Sequence, residues 1–363
     1  MDWSEIHYEK DPAWALRPLA FFSFLYGLGV RLRARACAGK ARRSLPGFVV
    51  SIGNITAGGT GKTPAVMMLA KWAREEGYHV AILTRGYRGR HREKVLEVGE
   101  GAGRRITPAL AGDEPFLLSR NLKGIPVMIS RDRHRAGCLA HEKYRTNFYI
   151  LDDGFQHTDL KRDVDLVLLD ASNPFGNGRL LPLGPLREPR AHLVRADAFI
   201  LTRCGTIGSR AVPGFLEREF PGKPVFRSDH VPEGVVFPVK GGVNGPESLR
   251  GKRVIAFAGI ARPAYFRETL ERLGAKILLF KAFRDHYPYR IEELKGFIDE
   301  KKRQKVDLII TTEKDWVRID HLGIGETELA YLTVRFKLLE EKPFFDMIRE
   351  RMEREGGLAG RNG

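Results

Sequence analysis

FVVSIGNITAGGTGKTP, residues 48–64, is the stretch that decides the fold. Its first six residues are a continuous run without a charge, which suits a parallel strand covered on both faces. Small residues dominate the loop that follows, and from Lys62 and Thr63 the spacing turns helical to about Glu76. Strand, glycine-rich loop and helix in that order are the setting of a phosphate-binding loop. Small side chains let backbone N–H groups close around phosphate oxygens, and the helix N-terminus adds partial positive charge. Thr56, Ala57, Gly58, Gly59, Thr60, Gly61, Lys62 and Thr63 are therefore assigned to the phosphates of ATP. Lys62 reaches for the β- and γ-phosphates, and the Thr63 hydroxyl for Mg2+. Thr56 stands where the first glycine of such loops is usual. Ala57 stands where dimerising, membrane-cycling ATPases carry a signature lysine.

Outward from this loop, short apolar runs alternate with helical stretches. HVAILT (79–84), PVMIS (126–130), FYILDD (148–153), VDLVLLD (164–170) and DAFILTR (197–203) read as strands. GDEPFLLSRN (112–121) and RDRHRAGCLAHEKY (131–144) read as helices. The alternation predicts an α/β fold, a P-loop NTPase-like doubly wound sheet over residues 46–225. Residues 226–250, rich in Pro, Gly and Val, read as a linker with one or two extended strands. A βαβαβ pattern from Arg253 to the strand DLIITT predicts a second, smaller α/β domain at 251–336. A terminal helix at 340–356 is expected to pack back on the first domain.

FYILDD ends in Asp152 and Asp153, carboxylates at the end of a buried strand, where Mg2+ and nucleotide sit in such sheets. The glycine-hinged continuation supplies Gln156 and His157, and the Pro-rich loop LLPLGPLREP supplies Arg187 and Glu188. Thr63, Asp152, Asp153 and Glu188 are the candidate metal ligands. Gln156, His157 and Arg187 are the candidate substrate contacts. Asp113, in GDEP, opens a helix, where an acid is ordinarily a capping partner. His286, in FRDHYPY, follows the strand KILLF beside an acid.

Charge and composition bound the partners. With 61 Lys and Arg against 45 Asp and Glu, the net charge of +16 favours something anionic. No zinc-finger spacing, RNP aromatic motif or basic zipper points to nucleic acid, and nothing implies an obligate protein partner. Cys37, Cys138 and Cys204 are far apart and form no CxxC, so a disulfide framework is excluded. Residues 18–30, PLAFFSFLYGLGV, are the most apolar stretch. Acids precede it (Asp2, Glu5, Glu9, Asp11) and no small-x-small cleavage site follows, so it is not a secretory signal. At ~1.5 Å per residue it reaches only ~20 Å, short of the ~30 Å hydrocarbon core. Six basic residues and no acid follow in 31–43. An apolar helix with a basic tail is either a monotopic anchor or a buried helix with a solvated end.

Taken in order, SIGNITAGGTGKTP (51–64), LTRGYRGR (83–90), AGDEPFLLSR (111–120), ILDDGFQH (150–157), LLPLGPLREP (180–189), FAGIARP (257–263), FRDHYPY (283–289) and TTEKDWVR (311–318) resemble one family, the tetraacyldisaccharide 4′-kinases of lipid A biosynthesis. The resemblance implies a kinase that uses ATP to phosphorylate the 4′-hydroxyl of a tetraacyldisaccharide 1-phosphate, giving lipid IVA. It implies a membrane-associated N-terminal segment (1–45) on the cytoplasmic face of the bacterial inner membrane, with an anionic lipid surface as partner. The second domain then closes the active-site cleft. Asp113 becomes the catalytic base, His286 its support across the cleft, and Lys62 the third catalytic residue. The competing reading is a membrane-associated P-loop ATPase that acts as a nucleotide-dependent binding switch. The residue at Ala57 and the absence of an NKxD motif count against it. A biotin-synthesis-type ligase is a further alternative, disfavoured by the apolar N-terminus.

Overall fold

The computed structural model describes residues 17–38, 41–87, 89–99, 101, 103, 106–205, 212–323 and 329–354. Of the segments singled out above, residues 1–16 with the four leading acids, Gly39 and Lys40 of the basic run, Arg88, and residues 355–356 lie outside the described residues.

The first half holds β1 (Phe48–Gly53), β2 (Val80–Thr84), β3 (Leu96–Val98), β4 (Val127–Ile129), β5 (Phe148–Asp152), β6 (Val164–Asp170) and β7 (Ala198–Thr202). β8 (Val225–Val236) and β9 (Val243–Asn244) follow, then β10 (Arg253–Ala258), β11 (Lys276–Ala282), β12 (Leu308–Thr312) and β13 (Leu329–Leu338). The sheet runs β11-β10-β12-β13-β8-β7-β6-β1-β5-β2-β4-β3, with β9 paired to β8. β1 lies between β5 and β6, parallel to both. The chain therefore winds away from β1 in both directions, which opens a ligand crevice at the strands' carboxyl ends. β1, β2, β5, β6 and β7 are buried along their whole length, which explains their unbroken apolar runs.

The two halves do not carry separate sheets. β8 pairs in parallel with β7 through Val225, Phe226 and Arg227. It then runs on, antiparallel to β13, from Ser228 to Val236. Pro232, which cannot donate a ladder hydrogen bond, falls where the register shifts between Thr333 and Val334. After β13 the helix Glu341–Arg354 returns to the first half. Its Phe344, Phe345, Ile348 and Met352 join the core under the helix Lys62–Glu75, and Phe345 stacks on Trp72 at 4.5 Å. Four large side chains buried there contribute roughly 6–12 kcal/mol.

At the N-terminus the helix runs Arg17–Ala38, so much of the basic stretch is helical too. Leu19, Ser23 and Gly27 share one face by their spacing. Leu19 packs on Leu183, the Ser23 hydroxyl donates to Leu180 O at 2.9 Å, and Tyr26 OH donates to Arg187 O at 2.9 Å. Phe21, Phe22, Phe24, Leu25, Leu28 and Leu32 are exposed. Among the described residues no helix is long and apolar enough to cross a membrane.

Candidate active site

The loop after β1 is built around Asn54, a residue not picked out from the sequence. Its Nδ2 donates to the Thr60 hydroxyl at 3.0 Å and its Oδ1 accepts from Lys62 Nζ at 3.2 Å. Gly58 and Gly61 stand at φ 113° and 84°, a region other residues rarely adopt. A Cβ at Gly61 would also lie 2.6 Å from His230 Nε2, on β8. The 180–187 loop clamps the other side: Ala57 N donates to Pro185 O at 2.6 Å and Arg187 N to Ile55 O at 2.7 Å. Arg203 holds Gly59 O at 2.9 Å and pairs with Asp170. Lys62 and Thr63 are the first residues of the helix that follows, so the loop presents backbone donors, a cation and a hydroxyl at one helix N-terminus.

Asp152, the last residue of β5, and Asp153, just past it, have different surroundings. Asp152 is 2 % exposed. Its Oδ2 accepts from the Thr84 hydroxyl at 3.0 Å, and its Oδ1 is buried without a hydrogen-bond partner. Burial, with Glu114 and Asp153 nearby, pushes its pKa up to about 7. Burial alone would raise Asp153 too, but Lys62 and Arg187 outweigh it and hold that carboxyl well below the usual range. Lys62 Nζ lies 3.4 Å away and Arg187 NH1 2.8 Å away. The unpartnered, buried Asp152 oxygen and the hydroxyl of Thr63 are hard oxygen donors of the kind Mg2+ takes, so these residues fit the ion. Among the described residues no three His, Cys, Asp or Glu side chains converge as a metal cage. Mg2+ ordinarily takes one or two carboxylates and completes its shell with phosphates and water.

Glu188, the fourth candidate metal ligand, is held by two side chains of the turn that follows it. The 3₁₀ turn Arg190–Arg195 folds back on it. His192 Nδ1 comes to 2.6 Å and Arg195 NH2 to 2.9 Å of its Oε2, and a buried carboxylate so compensated anchors the turn. The candidate substrate residues lie around the same loop. Gln156 Nε2 donates to Asn54 O at 2.8 Å and so braces the phosphate loop. His157 has its Nε2 buried, and burial, with Arg133 close by, pushes its pKa down to about 4. Of the three, Arg187 is the one whose charge reaches the Lys62–Asp153 group.

Asp113 opens the helix Asp113–Asn121, whose N-cap, Gly112, has no side chain to cap it. The Oδ2 of Asp113 meets two groups of the second half, His286 Nδ1 at 3.0 Å and Arg318 Nε at 2.6 Å. Burial works to raise its pKa; the hydrogen bond from His286 and the charge of Arg318 outweigh it and bring it down to about 2. Gly112, φ 91°, lets the turn approach closely, since a Cβ there would lie 2.6 Å from Tyr87 O. One residue on, Glu114 pairs with Lys314 at 2.8 Å. The charge of Lys314 is the chief reason its pKa falls to about 2. Glu114, Lys314, Asp315 and Arg318 were not picked out from the sequence; TTEKDWVR was the available signal, three charged residues opening a helix directly after a buried strand.

The sheet thus places a phosphate loop with its lysine and strand-end carboxylates in one half, and brings a second carboxylate to a histidine of the other half. Transfer of a phosphoryl group from a nucleotide is the chemistry such a divided site serves, and it makes the chain a P-loop phosphotransferase. Its family is narrower. Residues 13–353 match the model of the Tetraacyldisaccharide-1-P 4′-kinase family, and the chain belongs to that family. It is 38% identical over 363 residues to the tetraacyldisaccharide 4′-kinase of Syntrophus aciditrophicus, covering 97% of each chain. The enzyme of the same name from Anaeromyxobacter sp. strain K is 44% identical over 278 residues, 75% of this chain and 72% of that one. LpxK of Aquifex aeolicus, solved in complex with ATP, superposes with a TM-score of 0.72 at 32% identity, covering 93% of this chain and 98% of that one.

Proposed function

We propose that this chain transfers the γ-phosphoryl group of ATP to the 4′-hydroxyl of a tetraacyldisaccharide 1-phosphate, giving lipid IVA. The observation that carries the reading is the Asp113–His286 contact between the halves, made in a chain whose other half supplies the phosphate loop. A sugar hydroxyl is a weak nucleophile, and a positioned carboxylate orients it and takes its proton. The acceptor oxygen bonds to the γ-phosphorus as the bond to ADP breaks, and the acceptor proton goes to Asp113. His286 orients that carboxylate from across the cleft. Lys62 and the loop N–H groups stabilise charge on the moving phosphoryl. Mg2+, held through Thr63, Asp152 and Asp153, supplies neutralising charge at the phosphates when bound. Assembling the site from two halves ties the chemistry to closure, which keeps water from the phosphoryl group.

The chain works on the cytoplasmic face of the bacterial inner membrane as a peripheral protein. Supporting this, the helix Arg17–Ala38 exposes Phe21 at 62 % and Phe24 at 66 %, and a basic stretch follows to meet anionic lipid. That helix rests on the loop that carries Arg187, so a membrane taken up by it lies beside the cleft, where a lipid acceptor arrives.

The test is γ-labelled ATP with a tetraacyldisaccharide 1-phosphate and the purified chain. The expected outcome is label in the lipid, with its mass raised by one phosphoryl group. Label found only as inorganic phosphate, with the lipid unchanged, would show an ATPase switch instead.

A further inference from the structure

The inference below rests on Asp113 as the acceptor's base and extends it to the residue that aims it. Arg318 lies on the helix Glu313–Ile319, which follows β12. Its guanidinium is fixed from behind by Asp315, a wholly buried carboxylate. Asp315 accepts from Arg318 NH1 at 2.8 Å, Gly259 N at 3.1 Å, Tyr289 OH at 3.0 Å and the Thr312 hydroxyl at 2.6 Å. Arg318 NH1 also donates to Gly259 O at 2.8 Å. The same carbonyl accepts from His286 N at 3.1 Å, so arginine and histidine hang from one backbone group. A Cβ at Gly259 would lie 2.7 Å from Tyr289 OH, so a larger residue there would push on this network.

An arginine that only neutralised Asp315 would need no more than this. Arg318 turns its Nε to the other half, 2.6 Å from Asp113 Oδ2, while its NH2 lies 3.3 Å from His286 Nδ1 on its own half. Both cross-cleft contacts of Asp113 fall on Oδ2. We propose that Arg318 is the positioning residue of the acceptor base: it pins Oδ2 of Asp113 to the second half and turns Oδ1 to the acceptor hydroxyl. A guanidinium keeps its charge at any working pH, so it serves as a fixed fork and takes no proton itself.

The surroundings give the sign of the pH effect. Asp113 faces His286 and Arg318; Glu114 beside it is already matched by Lys314; Asp285 lies 3.9 Å from His286 Nε2; Asp315 lies behind Arg318; and the Tyr87 ring meets His286 edge-on. With Arg318 made neutral, the half-buried Asp113 loses the guanidinium whose charge and hydrogen bond favour its ionised form. Its carboxyl then titrates higher, and the acid limb of kcat/KM moves up.

The experiment uses the full chain with the lipid acceptor, in the wild type, Arg318→Gln, Arg318→Lys and Asp113→Asn. Arg318→Gln is expected to lose about 100-fold in kcat, the scale of a misplaced catalytic group, with KM for ATP within about twofold. Its acid limb is expected to rise by about 1–3 pH units, toward the range near pH 4 where carboxylates ordinarily titrate. Arg318→Lys keeps the charge and loses the fork, so its limb stays low while kcat falls about tenfold. An Arg318→Gln profile that stays at the wild-type position, even with a lower melting temperature, overturns the proposal and leaves a structural ion pair. Should Arg318→Gln fail to fold, Arg318→Lys decides: an unchanged kcat overturns the proposal. Asp113→Asn separates the two levels. Inactivity there with an unmoved Arg318→Gln profile refutes Arg318 alone, whereas wild-type activity removes the base and the positioning residue together.

Discussion

A carboxylate in the first turn of a helix is worth about 0.3–1 kcal/mol to that helix. Asp113 sits where it could supply this, yet its carboxylate leaves the helix for His286 and Arg318. Asp113→Asn separates the two roles, since an amide keeps the shape. The expected result is a rate loss of about 10²–10⁴ with a melting temperature within a few degrees of wild type. A cap alone would give a small stability loss and an unchanged rate. Lys62 touches Asn54 in the loop and Asp153 after β5, so Lys62→Ala is expected to lower kcat about 10²–10³-fold. Steady-state turnover and an ATP titration check it, and near-normal turnover contradicts the phosphate-loop assignment. At this scale the sequence showed which residues carry chemistry when their type is unusual for their place, as with Lys62 or the paired Asp152 and Asp153. It did not show which donors fall on which acceptor. Glu188 and Arg187 are neighbours in one Pro-rich loop, but one is claimed by His192 and Arg195 and the other by Asp153. Only the fold of the next turn decides that.

Among the elements, the helix Arg17–Ala38 and the loop it rests on belong together. Leu19, Ser23 and Tyr26 face Leu183, Leu180 and Arg187, which leaves a row of large apolar side chains outside. Phe21→Ser with Phe24→Ser is expected to weaken binding to anionic vesicles by about tenfold or more per ring, from about 1.5–3 kcal/mol for each ring buried. Raised salt is expected to weaken wild-type binding further, through the basic residues. Vesicle sedimentation checks both, and unchanged partitioning contradicts the membrane assignment. The sequence made this helix visible through its apolar run, but placed its end near residue 30. Arginine is a good helix former, so the polar stretch continues the helix to Ala38. The opposite case is 226–250. It reads as a linker with one or two extended strands, and β8 and β9 lie there; what it does not show is that β8 pairs with β13, about a hundred residues further on, and so joins the halves in one sheet. Pairing over that separation leaves no mark in local composition.

For the whole molecule, one sheet carries the phosphate loop, the join and the second half, and His230 marks where they meet. It lies on β8 against Gly61, and burial pushes its pKa down to about 4. Above pH 6.5 it is neutral whether folded or unfolded. As pH falls from about 6.5 toward 4, the unfolded chain takes up a proton that the folded chain refuses, so stability declines. At pH 5 the decline attributable to His230 is about 2 kcal/mol. Denaturant unfolding at pH 7 and pH 5 should show a smaller loss in His230→Gln than in wild type, and equal losses contradict the assignment. The same continuity carries the central claim, that a base from one half and a histidine from the other act as one unit. Rates for Asp113→Ala, His286→Ala and the double variant test it directly, because groups acting together are not additive. Each single variant is expected to lose about 10²–10⁴, and the double to be little slower than the worse single. Losses that multiply, or an Asp113→Ala enzyme that is less stable but as fast as wild type, would contradict it.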